Sequence, residues 1–235
     1  MNNKNNGDVT SIDNQKEFYN RCGSTVDLYT SDLGFDVSSD YNKQEELHAH
    51  ANLGQIITGL LVLKKGGSLL TKQYTYFEPF TVSLMGALTL LFEHVYICKP
   101  MFSKPANSET YIVCKNYYGV PKNVFESNSI HRQLLDRLGK WSFTPLTTKR
   151  CLSNSFTSTI IKSHTMFTNI QIRTINKILS EYVKIKNGGT STYFPNVIKR
   201  DLQNWCSVYT IKKNRNRLNV REIMGVNPKH RHRPS

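Results

Sequence analysis

Between Val26 and Tyr117 the chain alternates between strand-like runs and helix-period stretches, and this alternation restricts its fold more than any other feature. Val26 to Leu33 reads as a short strand, apolar at Val26 and Leu28, entering a polar loop with Gly34. From Gln44 to Leu63 apolar residues recur at Leu53, Ile56, Ile57, Leu60 and Leu61, the spacing of one buried helix face. The pair Gly66-Gly67 is expected to close that helix. Ser68 to Tyr76 predicts a second strand, and Phe80 to Phe92 a mostly apolar helix entered through Pro79. His94 to Lys99 and Thr110 to Tyr117 predict two more strands. Strand, helix, strand, helix, strand calls for an α/β fold with a parallel sheet and right-handed crossovers. The link Pro100–Glu109 is only about ten residues long without a helical pattern, too short for a crossover, so the last strand should run antiparallel.

Outside this stretch the periodicity is helical. One helix is expected around Asn14 to Tyr19, another over Val124 to Leu138, and a third over Phe167 to Val183, stopped by Asn187-Gly188-Gly189. The organisation expected is an α/β core over residues 1–120, a helical extension over 121–211 and a flexible basic tail over 212–235.

Charge follows the same division. Residues 1–120 hold 10 Lys and Arg against 12 Asp and Glu, whereas residues 121–235 hold 21 against 5. An excess of this size in one half points to a polyanionic partner, nucleic acid before anionic lipid, because no clean amphipathic basic helix is present. Lys149-Arg150 and the run Lys212–Arg217 are either solvated surface charges or phosphate contacts, and the terminal PKHRHRPS has the composition of a nuclear-localisation patch. The apolar run Phe80–Phe92 falls short of the ~20 residues of a membrane span, so no membrane partner is expected. Five cysteines with no C-x-x-C pair argue against a disulfide framework and for a reducing compartment. His48 and His50 lie near Glu45 and Glu46 but lack ligand spacing, and no metal site is expected. Tyr74, Tyr76, Phe77 and Phe80 are candidate base-stacking platforms, although aromatic residues there more often fill the core.

Ligands of open α/β sheets bind beyond the carboxyl ends of the strands. Asp32 closes the first strand, Lys72 ends the second and Glu109 opens the antiparallel one, so all three should reach the same sheet edge. Singly each is an ordinary cap, snorkelling or surface residue; together they form a candidate site.

Three passages resemble the FtsJ-like, or RrmJ-type, ribose 2′-O-methyltransferases. VDLYTSDLGFDVSSDYNKQEE is similar to the family's Asp-bearing strand and loop, in the form carried by viral and eukaryotic mRNA cap enzymes. GGSLLTKQY resembles the segment of the catalytic Lys, and SETYIVCKNY the last strand with its Glu. Gly7-Asp8-Val9-Thr10 is similar to the segment whose Asp contacts the cofactor adenine. The resemblance implies S-adenosyl-L-methionine as cofactor and the C-terminal half of a Rossmann-like methyltransferase sheet. It further implies Asp32, Lys72 and Glu109 as three members of a Lys-Asp-Lys-Glu tetrad, with Asp8, Val9 and Asp32 on the cofactor side. The implied substrate is RNA, capped mRNA foremost, with ribosomal or transfer RNA as alternatives. The implied location is the host cytoplasm or virion, with the nucleus as alternative.

The family's first tetrad Lys and Gly-rich loop lie upstream of the adenine-contact Asp, and only six residues precede Gly7. The expectation is therefore an N-terminally shortened domain, or half of a split enzyme whose second chain supplies the missing strands. A non-catalytic RNA-binding module is the alternative of a different class.

Overall fold

The computed structural model describes residues 6–37, 40–100, 103–148, 151–191 and 193–208. Lys149-Arg150 and the basic tail over 212–235 lie outside the described residues. The chain divides into two compact units, Met1–Leu179 and Ser180–Ser235, so residue 120 falls inside the first of them.

Four strands, β1 (Val26–Ser31), β2 (Leu63–Gln73), β3 (Phe92–Cys98) and β4 (Thr110–Tyr117), form one sheet in the order β1-β2-β4-β3. β1 and β2 are parallel, and β4 runs antiparallel to both β2 and β3. The three strands followed or preceded by helical crossovers therefore share one direction, and the short-linked strand reverses, as its loop length dictates. The crossover helices are α2 (Gln44–Val62) and α3 (Pro79–Leu91). Leu53, Ile56, Ile57, Leu60 and Leu61 of α2 are all buried, in one cluster with Leu63, Leu69, Phe80, Leu88, Phe92 and Tyr117.

Gly66-Gly67 does not close α2. The helix ends at Val62, because Leu63 turns extended and pairs with Val26. Leu28 then pairs with Ser68, so five steps along β2 face two along β1 and the intervening residues bulge out. Gly66, at φ +83°, supplies the left-handed conformation this bulge requires.

Three further helices surround or extend the sheet. α1 (Ile12–Cys22) is capped by Ser11 and packs on α2. α4 (Ile130–Gly139) starts six residues later than expected, at the Ser129 cap, and buries Leu134, Leu135 and Leu138 in the sheet's own core. The expected Phe167–Val183 helix is the last part of a longer one, α5 (Asn154–Lys186). Its Thr-rich start looks poorly helical by propensity. Within it, however, the hydroxyls of Thr157, Thr159, Thr165 and Thr174 each donate to the carbonyl four residues back, which satisfies them inside the helix. In the second unit, α6 spans Tyr193–Val208.

One buried pair sets a pH dependence. The Tyr117 hydroxyl lies 2.9 Å from the Leu60 carbonyl oxygen and 2.5 Å from His131 Nε2. Burial pushes the His131 imidazole down to about 4. An unfolded chain takes up that proton near pH 6.5, so between these values the unfolded state binds more protons and stability falls as pH falls. The expected loss is about 1.5 kcal/mol between pH 6.5 and pH 5. Urea denaturation at both pH values should show it, and His131→Gln, which cannot titrate, should flatten the difference.

Candidate active site

Strand register builds the site. Ser31 pairs with Thr71, and the Ser31 hydroxyl donates to Thr71 Oγ1 at 2.8 Å, so the next residues, Asp32 and Lys72, emerge side by side. Lys72 in turn faces Tyr111 across the β2–β4 ladder. Lys72 Nζ lies 2.9 Å from Asp32 Oδ1 and 3.2 Å from the Asp32 carbonyl oxygen, and 5.3 Å from the centre of the Tyr74 ring. Tyr111 donates its hydroxyl to Asp32 Oδ1 at 3.3 Å.

Lys72 is only 9% exposed, while the Asp32 side chain is 71% exposed. A nearly buried ammonium thus points at a carboxylate open to solvent. Burial pushes the Lys72 amine down, but the Asp32 hydrogen bond and the charges of Tyr74 and Asp32 together outweigh it and hold the group above its ordinary value. The hydrogen bond from Lys72 holds the Asp32 carboxyl below the usual carboxylate range, against a smaller effect of desolvation. Both partners are therefore charged at neutral pH.

The loop after β1 is fixed close to Lys72. Leu33 N–H donates to Gln55 Oε1 at 2.9 Å and Phe35 N–H to His48 Nε2 at 3.2 Å. The Phe35 ring stacks on His48 at 4.1 Å. A Cβ at Gly34 would stand 2.9 Å from the Tyr74 hydroxyl and 3.2 Å from Lys72 Nζ, so a side chain there would have to displace the ends of both residues. Both ring nitrogens of His48 are engaged, Nδ1 by the Gln44 carbonyl at 2.8 Å, which makes His48 a loop brace.

Glu109 stands one step away. Its Oε1 accepts from Ser103 Oγ at 3.4 Å, and its charge raises the Tyr111 phenol alongside desolvation, the larger cause. It forms no ion pair with Lys72 among the described residues, and its charge acts instead on Tyr111, which donates to Asp32. Asp8 lies on a separate loop. Its Oδ1 accepts from Thr10 N–H at 2.9 Å and the Thr10 hydroxyl at 2.8 Å, bonds that hold its carboxyl below the usual range. The buried Gln15 amide donates to the Val9 carbonyl at 2.6 Å and to Thr58 Oγ1 at 3.0 Å, which seats this loop on α2.

Of the four aromatic candidates, Tyr76 and Phe80 are core residues. Phe77 is 61% exposed, and Tyr74 packs beside Lys72. Tyr74, Glu78, Asn107 and Ser108 border a cavity of about 760 Å³ at this edge of the sheet. The sequence marks Gly34 only as a loop residue and gives Tyr111 no role. The signal for Tyr111 was its position in the second place of β4, two residues after Glu109.

Residues 1–117 match the family model of the FtsJ-like methyltransferases. The chain carries an FtsJ-like methyltransferase domain. All of Asp8, Asp32, Lys72 and Glu109 fall within it. A probable methyltransferase of African swine fever virus is 41% identical over 177 residues, covering 73% of this chain and 40% of the viral protein. A cap-specific mRNA (nucleoside-2′-O-)-methyltransferase 2 of Danio rerio is 36% identical over 165 residues, covering 68% of this chain and 21% of its own. A cap-specific mRNA (nucleoside-2′-O-)-methyltransferase 2 of Drosophila melanogaster is 39% identical over 114 residues, covering 47% and 16%. The chain thus spans about 40% of the length of the viral relatives it matches. No helix among the described residues is long and apolar enough to cross a membrane.

Proposed function

We propose that this domain methylates the 2′-hydroxyl of an RNA ribose, with the first transcribed nucleotide of capped mRNA as the foremost substrate. The observation that carries the reading is the Lys72–Asp32 pair, 2.9 Å apart at the edge where the parallel strands end. S-adenosyl-L-methionine would supply a methyl group on a sulfonium sulfur. The residues present suit its adenosine end: Asp8 is held ionised on a braced turn and is open to accept from an amino group, with the Val9 backbone next to it.

Lys72, held as a cation, would orient the ribose hydroxyl and stabilise negative charge as it develops on that oxygen. The raised Lys72 amine favours this role over that of a neutral base, and the hydroxyl proton then passes to water. Asp32 would hold the ammonium in place. Glu109, through Tyr111, would bound the pocket on the β4 side. The adjoining cavity, with Tyr74 on its wall, offers room for the acceptor nucleotide.

The 21 Lys and Arg against 5 Asp and Glu over residues 121–235 support RNA-backbone contacts from that half. β1 is an edge strand of the described sheet, with Leu28 58% exposed on it, which favours a further strand pairing there, from this or a second chain.

Transfer of labelled methyl to cap-0 and to uncapped RNA tests the reading. Capped RNA should be modified and Lys72→Ala should not modify it; equal transfer to both RNAs would remove the cap assignment. RNA affinity should fall with added salt, with a logarithmic slope of about −0.7 per phosphate contacted. Salt-dependent binding without any transfer would favour a binding module instead.

A further inference from the structure

We propose that Lys99 is a positioning residue that fixes Glu109 at the active-site edge, an inference that rests on the transferase reading above. Lys99 follows β3, and the pairing of Cys98 with Tyr111 brings it beside the start of β4. Its ammonium is directed inward at four acceptors. Nζ lies 2.8 Å from the Glu109 carbonyl oxygen, 2.9 Å from Asn107 Oδ1, 3.0 Å from the Asn107 carbonyl oxygen and 3.4 Å from Ser103 Oγ.

An ammonium has three N–H donors, so these acceptors use all of them and none remains for a phosphate. The acceptors are also joined to one another. Ser103 Oγ lies 3.3 Å from Asn107 Oδ1, and donates to Glu109 Oε1 at 3.4 Å. Asn107 Oδ1 in addition accepts from Glu109 N–H at 3.3 Å. One cation therefore pins the backbone on both sides of the Glu109 amide and holds the hydroxyl that touches its carboxylate.

Burial lowers the Lys99 amine, and the Glu109 charge opposes that fall. A desolvated lysine is costly for a chain that needs only a surface loop, and its acceptors offset the cost only in this one loop conformation. The carboxylate thereby fixed is the one whose charge acts on Tyr111, which donates to Asp32, the partner of Lys72. Hydrogen bonds thus join Lys99 and Ser103 to Glu109, and Tyr111 and Lys72 to Asp32, while the Glu109 charge acts on Tyr111 across the space between the two groups.

The test compares the full chain with Lys99→Met, Glu109→Gln and the double variant. By hydrogen exchange, Lys99→Met should speed exchange of the 107–111 amides at least about tenfold and leave those of β1 unchanged. In methyl transfer, Lys99→Met should lower kcat about 10–100-fold with an unchanged KM for S-adenosyl-L-methionine. In the Glu109→Gln background the same substitution should cost nothing further, because both act through one carboxylate. Wild-type exchange in Lys99→Met, or losses that multiply in the double variant, would overturn the proposal. Exchange needs no turnover, so a chain inactive in transfer would defeat the transferase reading while the exchange result still decides the role of Lys99.

Discussion

Lys72→Ala is expected to lower methyl transfer by at least about 10²–10³-fold while cofactor affinity and fold are retained. The expectation rests on the asymmetry of the pair. Lys72 is 9% exposed and donates to Asp32, whose carboxylate is 71% exposed. Removing the amine therefore strands no buried charge, because Asp32 can be solvated, and the stability cost is confined to the lost packing of the Lys72 stem. Lys72→Arg should fail nearly as badly. A planar guanidinium cannot reproduce the contacts of a compact ammonium with both Asp32 Oδ1 and the Asp32 carbonyl. The pH dependence follows from the directions of the two shifts. Asp32 titrates below the usual carboxylate range, so the pair is lost only as pH falls through that lowered value. Lys72 titrates above the ordinary lysine value, so the pair also survives to alkaline pH and is lost only above it. Initial rates with labelled cofactor, beside calorimetric cofactor binding, separate the two effects. Retained transfer in Lys72→Ala would remove Lys72 from the catalytic machinery.

The sheet was legible because its elements are short, strongly periodic and separated by distinct loops. Loop length alone determined the direction of β4, and strand ends alone brought Asp32 and Lys72 to one edge. Two misreadings have physical causes. Gly66-Gly67 looked like a helix stop, but the ladder with Val26 captured Leu63 first, and the glycines serve a bulge within β2. The start of α5 was hidden because Thr and Ser weaken helix propensity, whereas tertiary context holds this segment helical and the hydroxyls bond to its own carbonyls. Within the site, Tyr111 and Lys99 escaped notice for a shared reason. Their roles depend on cross-strand register, Lys72 with Tyr111 and Cys98 with Tyr111, which no single-strand pattern contains. Spacing along the chain finds residues that share an edge, and register determines which of them touch. That is why Glu109 arrives at the edge yet meets Ser103 and not Lys72.

Gly54→Ala sets two physical effects against each other. In a helix interior the change should stabilise by about 1 kcal/mol on propensity. Here the new Cβ would stand 2.4 Å from the Val9 carbonyl oxygen and 2.8 Å from the Val9 carbonyl carbon. Those are backbone atoms of a turn already tied down by Gln15, so they cannot rotate away as a side chain would. The overpacking cost, about 1–3 kcal/mol, should exceed the propensity gain, and the net change should be destabilising. The displaced turn is the one that carries Asp8, so affinity for S-adenosyl-L-methionine should fall by about tenfold or more as well. Gly86→Ala is the control. In the interior of α3, its Cβ would meet the Leu152 side chain at 2.6 Å and no atom of the Asp8 turn, so it should spare cofactor binding whatever it does to stability. Urea denaturation and calorimetry on both variants give the comparison. Equal affinity in Gly54→Ala and wild type would place Asp8 and Val9 outside the cofactor site, whereas a loss in Gly54→Ala alone would tie that site to the α2 face at Gly54.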